Sequence, residues 1–316
     1  MRRETDEKSE IHGIGGKKES PAPRRPDAAI SLHIAAPAKI NLFLHVTGRR
    51  ADGYHLLESL VTFADAADRL DMAMEDDLTL EITGPFASAL TLPPQRGKEL
   101  NIVLRAATLL QAHAGSGLGA RLTLLKALPV AAGLGGGSAD AAAALRGLRQ
   151  LWNLDVDDGT LANLALQLGS DVPVCLASRT AWMRGIGETL SKVTLPALWM
   201  VLVNPGAALS TADVFRNFSG AFAPPKPVPD MFASVQALVD FLGDAHNALE
   251  PAARALAPVI SDVLAALQAG GALLARMSGS GATCFGLYAD AAAADAAAAR
   301  ISTTRPEWWC VAAGVR

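Results

Sequence analysis

Residues 128–145 read LPVAAGLGGGSADAAAAL, four glycines and a serine placed directly ahead of an alanine-rich run. Glycine admits positive φ and carries no Cβ, so successive backbone N–H groups can converge on one point. A helix starting behind such a loop adds its own unpaired N–H groups and the positive end of its dipole. Together these make an anion site, and phosphate is the usual occupant. Ser138 stands where it can cap that helix or offer a hydroxyl to a phosphate. The pattern is not GxxxxGK[ST], because no lysine follows, and not GxGxxG, because Ser138 holds the place of the third glycine. The same residues also fit a tight strand-to-helix turn in which small side chains merely allow close packing.

Other residues invite chemistry at a distance. Asp171, in GSDVPVCL, is a carboxylate beside a proline-containing turn; it suits a general base, and Ser170 and Asp171 suit helix capping equally well. Lys39 and Asn41, two apart in PAKINLFLHV, share one face of a strand; a lysine there ordinarily reaches for water. In ADGYH, residues 51–55, Asp52-Gly53 signals a turn. An exposed Tyr-His pair after such a turn often has no role; alternatively Tyr54 and Phe215 can stack on a flat base whose edge His55 hydrogen-bonds. Thr211 is a polar contact candidate near Phe215. Asn101 fits a helix cap, Lys126 a solvated strand residue, and His246 with Asn247 a cap and surface. Ser278-Gly279-Ser280-Gly281 offers a second nest of N–H groups or a plain turn.

The elements that must hold these residues are readable in outline. Ser31–Gly48 reads as one or two strands, with Ile40, Leu42, Leu44 and Val46 alternating with Lys39, Asn41, Phe43 and His45. LTLEITG and ARLTLLKAL are strands, and ELNIVLRAATLLQAHAG is a helix stopped by Gly115. A helix covers 160–168, ALWMVLVNPG is a strand, and PPKPVP (224–229) is a loop. A helix over 261–269, strand-like ALLARMSGSGATCFGLY, an Ala-rich helix from Asp290 and a strand in WWCVAAGV complete the chain. Helices and strands interleave without a clean βαβ series, so the class is α/β or α+β. No solenoid repeat is present.

At 316 residues two packed units are expected, divided near Thr194–Leu198. Residues 1–28 mix both charges with Gly, Pro and Ser and read as a disordered extension. A hydrophobic share of 50% and a charged share of 19% mark a globular protein. A formal net charge of −3 argues against nucleic acid or an anionic membrane as partner. No apolar run has the length of a membrane span, and the N-terminal stretch lacks the apolar core of a secretory signal. Cys175, Cys284 and Cys310 are odd in number and without CxxC, as expected of reduced cytoplasmic thiols.

PVAAGLGGGSADAA resembles the P-x-x-x-G-L-G-[GS]-S-[AS] phosphate loop of the GHMP kinase superfamily. PAKINLFLHVTGRRADGYHLLES (37–59), GSDVPVCL (169–176) and MSGSGATCFGLY (277–288) resemble that superfamily's other motifs, in the same order along the chain. The resemblance implies a two-domain α+β fold: an N-terminal nucleotide-binding domain over 29–195 and a C-terminal ferredoxin-like α/β sandwich over 196–316. It implies an ATP-dependent kinase needing Mg²⁺, with Lys39 and Asp171 catalytic at the acceptor hydroxyl and no metal held by protein ligands alone. It places ATP against Asn101, Lys126, Pro129, Val130, Ala131, Ala132, Gly133, Leu134, Gly135, Gly136, Gly137, Ser138 and Ala139. It places the acceptor, a cytidyl diphosphate sugar alcohol of isoprenoid precursor synthesis, against Asn41, Tyr54, His55, Thr211 and Phe215. The SGSG turn would buttress the phosphate loop. Two departures stand out: Ala139 replaces a usual second serine, and SRTAW (178–182) a usual glycine. Another small-molecule kinase of the superfamily, or a catalytically silent nucleotide-binding regulator, are the alternatives.

Overall fold

The computed structural model describes residues 31–90, 101–115 and 117–316; the extension expected to be disordered, 1–28, lies outside them. Strands β1 (Ser31–Arg49) and β2 (His55–Glu75) form a long antiparallel hairpin that turns through ADGYH, with Arg49 paired to His55. The alternation in β1 predicts a strand with one wet face. Instead every residue from Ala36 to Val46 is buried. The reason is position: helices cover one face of β1, and the second half of the chain covers the other.

The first sheet adds β3 (Leu78–Thr83), β4 (Gly119–Leu125), β5 (Ala181–Gly185) and β6 (Thr189–Lys192), in the order β3-β4-β2-β5-β6 with β1 on β2. Helices α1 (Ile102–Ala114), α2 (Gly136–Leu151), α3 (Asp158–Leu168) and α4 (Val172–Ala177) pack with it around one core. Alanine serves α2 twice, through its helix propensity and by its size. Ala139 and Ala141–Ala144 are all buried, so the helix lies close against its neighbours.

The second sheet is antiparallel throughout. It comprises β7 (Trp199–Asn204), β8 (Leu274–Met277), β9 (Cys284–Tyr288) and β10 (Trp309–Gly314), ordered β10-β7-β9-β8. With α8 (Val259–Ala269) and α9 (Ala291–Thr304) this is the expected ferredoxin-like sandwich; α5 (Thr211–Arg216), α6 (Val235–Gly243) and α7 (Glu250–Leu256) fill the connection after β7. The strand-like segment after Gly271 divides into β8 and β9 around the SGSG turn. Strand β2 was not legible: Glu58, Asp65, Asp68, Arg69 and Asp71 interrupt any alternation, and its two ends pair with different strands, β5 and β4.

The two halves are joined by more than chain connection. Val315 bridges Ala64, and Arg316 N–H donates to Phe63 O at 2.8 Å. Arg276 on β8 is buried and donates to three carbonyls, Leu42 O at 2.8 Å, Leu242 O at 2.9 Å and Ala245 O at 2.7 Å. Burial lowers its guanidinium to about 10, which still leaves it charged near neutrality. Arg276→Leu therefore strands three buried acceptors at a cost of about 1–3 kcal/mol each before relaxation. Denaturant unfolding should show a loss of about 3 kcal/mol or more, and a loss near zero would contradict this account.

Candidate active site

The chain leaves β4 at Leu125 and enters α2 at Gly136. Gly135 makes the turn: it is the helix N-cap, left-handed at φ 60°, and uses no side-chain cap. Ser138 is consequently not the cap, because Gly136 and Gly137 already belong to the helix; it lies in the first turn and lines the cavity above. Gly133 is left-handed at φ 74°, and a Cβ there would stand 2.3 Å from Ser278 O. The SGSG turn is pressed against the loop backbone. Ser278 Oγ donates to Gly133 O at 3.0 Å, and Thr283 N–H donates to Ala132 O at 3.1 Å. From the other side, Lys39 N–H donates to Leu134 O at 2.8 Å.

Asn247 secures the turn. Its Nδ2 donates to Met277 O and Gly279 O, each at 2.8 Å, and its Oδ1 accepts from Leu249 N–H. It is 3% exposed, so the expected surface position is corrected: the segment ahead of α7 runs inward and sets its amide against the turn. His246 is exposed and its ring lies 4.6 Å from that of His45.

Lys39 does not reach for water. Its side chain is 5% exposed and its Nζ donates to Asp171 Oδ2 at 2.6 Å. Asp171 occupies the N-cap of α4 without making a side-chain cap bond. Asn41 donates through Nδ2 to Ser59 Oγ at 2.7 Å, while its buried Oδ1 has no partner. Lys39, Asn41, Asp171, Ala131, Ala132, Gly133, Gly135, Gly136, Gly137 and Ser138 line one cavity of about 380 Å³, together with Ile102 and Gly279.

A second cavity of about 520 Å³ is lined by Tyr54, His55, Thr211, Phe215 and Ile186, and it shares Leu57, Ser170, Thr211 and Phe215 with the first. Tyr54 is 65% exposed. His55 stacks on Phe215, with ring centres 5.1 Å apart and planes at 24°, so one aromatic face already has a protein partner. Burial and the nearby Arg49 hold the His55 imidazole below its usual range, which keeps it neutral at pH 7 with one donor and one acceptor nitrogen. Thr211 Oγ1 is 2.8 Å from Ser280 Oγ, tying α5 to the SGSG turn.

Several expected contacts do not line either cavity. Leu134 and Ala139, each 1% exposed, face the cores on the two sides of the loop, so the missing second serine removes no group from the cavity wall. Pro129 and Val130 precede the lining residues. Asn101 Oδ1 accepts from Val103 N–H at 2.9 Å and caps α1. Lys126 is 2% exposed, neither a solvated residue nor a cavity one; Asp68 and Asp140 hold it beneath the loop. Asp68, Asp140 and Ser59 escaped sequence reasoning. A lone acid inside the alanine run of α2 was the available signal for Asp140.

The N-terminal domain pattern of the GHMP kinases matches residues 101–179 and the C-terminal pattern residues 232–306. The chain belongs to the GHMP kinases, ATP-dependent kinases of small molecules. Its family within that class is that of the 4-diphosphocytidyl-2-C-methyl-D-erythritol kinases. The kinase of that name from Paramagnetospirillum magneticum is 50% identical over 281 residues, 88% of this chain and 96% of that protein. The one from Paracoccus denitrificans is 53% identical over 284 residues, covering 89% and 96%. A crystal structure of 4-(cytidine 5'-diphospho)-2C-methyl-D-erythritol kinase aligns with a TM-score of 0.74 at 35% identity, over 90% of this chain and 99% of that one. A homoserine kinase from Cytophaga hutchinsonii, at 20% identity and a TM-score of 0.64, shares the fold.

Gly133 is the sharpest test of the loop. Gly133→Ala puts a methyl group against Ser278 O at a φ that L-residues rarely adopt. ATP binding measured by calorimetry should weaken about tenfold or more, since even 1.4 kcal/mol of strain is a factor of ten. Unchanged affinity would return the loop to a packing role.

Proposed function

We propose that the chain transfers the γ-phosphoryl group of ATP to the 2-hydroxyl of 4-diphosphocytidyl-2-C-methyl-D-erythritol, giving ADP and the 2-phosphate. The observation that carries this reading is the continuous wall of the two cavities. A glycine loop and an ion-paired carboxylate line one, aromatic and imidazole rings line the other, and Leu57, Ser170, Thr211 and Phe215 belong to both. A substrate with a phosphorylatable alcohol at one end and a flat base at the other matches that layout, and the names of the relatives support the particular compound.

In this reading the loop N–H groups and the start of α2 take the negative charge of the phosphates. Lys39 holds Asp171 by one oxygen, Oδ2, and Oδ1 accepts the proton of the acceptor hydroxyl. The new O–P bond forms as the bond to the β-phosphate breaks, and ADP leaves with the electron pair. Asn41 Oδ1, buried and unpaired, is an acceptor for the alcohol end of the substrate. Tyr54 and Phe215 stack the base, and His55, whose ring now covers one face of Phe215, leaves that face to read the edge of the base. Among the described residues no group of three or more His, Cys, Asp or Glu side chains could hold a metal ion. Mg²⁺ would be carried chiefly on the phosphates of ATP, with the Ser138 hydroxyl, in the first turn of α2 and in the cavity wall, as a protein oxygen for it.

Residues 29–195 would supply most of the machinery and residues 196–316 the SGSG turn and α5. Among the described residues no single helix is long and apolar enough to cross a membrane. The free thiols Cys175, Cys284 and Cys310 support action in the cytoplasm.

Two measurements test the reading. Asp171→Asn should lower kcat by roughly 10²-fold or more with the fold intact, the usual contribution of a general base; a folded variant with near-normal kcat would remove Asp171 from the mechanism. An acceptor panel should show the cytidyl compound preferred over its uridyl analogue by on the order of 5- to 150-fold in kcat/KM. His55→Ala should narrow that gap, and Tyr54→Ala should weaken both acceptors together. Equal turnover of the two acceptors by the unmutated chain would overturn the base-reading assignment.

A further inference from the structure

Beneath the phosphate loop lies a cluster of charges that touches neither cavity. Lys126, directly after β4, donates through Nζ to Asp68 Oδ2 on β2 at 2.5 Å and to Asp140 Oδ2 on α2 at 2.7 Å. The three side chains are 2%, 0% and 3% exposed. Asp68 Oδ1 also accepts from Ala127 N–H at 2.7 Å and Leu128 N–H at 2.8 Å. The cluster thus grips the chain just before the loop and again just after it. It also lies immediately under the turn, for a Cβ on Gly136 would stand 3.2 Å from Lys126 Nζ. Burying three charges carries a desolvation cost that well-packed apolar side chains would avoid, so stability alone is a weak reason for the cluster.

We infer that Lys126, Asp68 and Asp140 are positioning residues for ATP: they fix the two ends of the phosphate loop and set the charge beneath the triphosphate. The inference rests on the reading of the loop as the ATP site. Asp68 is saturated by two N–H groups and the ammonium, whereas Asp140 Oδ1 has no partner, so Asp140 is the adjustable member. Burial, reinforced by Asp68 and opposed by Lys126, pushes Asp140 up to about 7. Below that pH one ammonium faces one carboxylate; above it a second negative charge lies under an anion site. Of the elements packed on α2, α4 presents only the Cys175 thiol, which burial pushes up to about 12 and so keeps neutral. Lys39 on β1 is committed to Asp171. Arg105 and His113 on α1 and Asp158 on α3 sit at partly exposed or exposed positions.

Steady-state kinetics on the full chain, with ATP and the alcohol acceptor varied separately, test this. Asp140→Ala frees one end of the loop; KM for ATP should rise about tenfold, while kcat and the acceptor KM stay within about twofold. Asp140→Asn keeps the shape and an acceptor for Lys126, and should restore KM for ATP. Between about pH 6 and about pH 8.5 the unmutated chain should lose ATP affinity relative to Asp140→Asn by on the order of three- to tenfold. The ionisation of ATP itself is common to both proteins and cancels in that ratio. If Asp140→Ala fails to fold, the Asp140→Asn pH comparison decides alone. Parallel pH profiles, with an ATP KM within twofold in every folded variant, would overturn the inference and leave the kinase reading standing. Absence of ATP turnover in the unmutated chain would instead defeat the kinase reading, and this inference with it.

Discussion

Two carbonyl oxygens organise the molecule. Those of Ala132 and Gly133 accept hydrogen bonds from Thr283 N–H and Ser278 Oγ, in the other half of the chain. In a trans peptide the C=O and the following N–H point in opposite directions. Tying the carbonyls toward the SGSG turn therefore aims the next N–H groups, those of Gly133 and Leu134, away from it. An anion site made of backbone has no side chain to adjust, so its direction must be imposed from behind. Everything else serves that constraint: Asn247 stiffens the turn, Lys39 N–H holds Leu134 O, and the charges under Gly136 fix the base of the loop.

What the sequence could and could not disclose follows from the range of each interaction. The phosphate loop was legible because its requirement is local: glycines for the turn, small residues for the helix behind it. Asn101 was legible as a cap for the same reason, bonding an N–H two residues on, whereas Asp290 was legible only as the start of a helix that it proves to cap. Lys39 and Asp171 stand 132 positions apart, and nothing near either announces the other; only the order of motifs suggested it. The burial of β1 on both faces was hidden in an alternation that ordinarily marks one wet face. Strand β2 was hidden by its own charges, several of which proved to be structural. Glu58 accepts from Trp182 Nε1 and from Lys226 N–H, and Asp68 holds the chain ahead of the loop. A buried acid looks in sequence like a surface one.

The same economy of position explains why the aromatic pocket is looser than the phosphate site. Tyr54 lies next to a hairpin turn and is largely exposed, while His55 leans on Phe215 from a separate helix. Loops at the ends of rigid strands carry recognition because they can vary without disturbing the core. The buried side of the active centre, by contrast, is built on β1, α2 and α4, whose packing leaves little freedom. In the proposed reading, chemistry is held by the interior and specificity by the rim.

The pairing of Arg316 with Phe63 gives the molecule a particular history at birth. The glycine loop leaves the ribosome well before the turn that directs it, and Val315 and Arg316, which close on β2 at Ala64 and Phe63, follow later still. Long-range closures of this kind are slow, and in a chain made from the N-terminus they come last. Until then the first half exposes the face of β1 that β7–β9 and α7 will cover, an apolar surface of the kind chaperones and other nascent chains find. A chain without Val315 and Arg316 would carry every motif of the phosphate site and still lack this seam along β2.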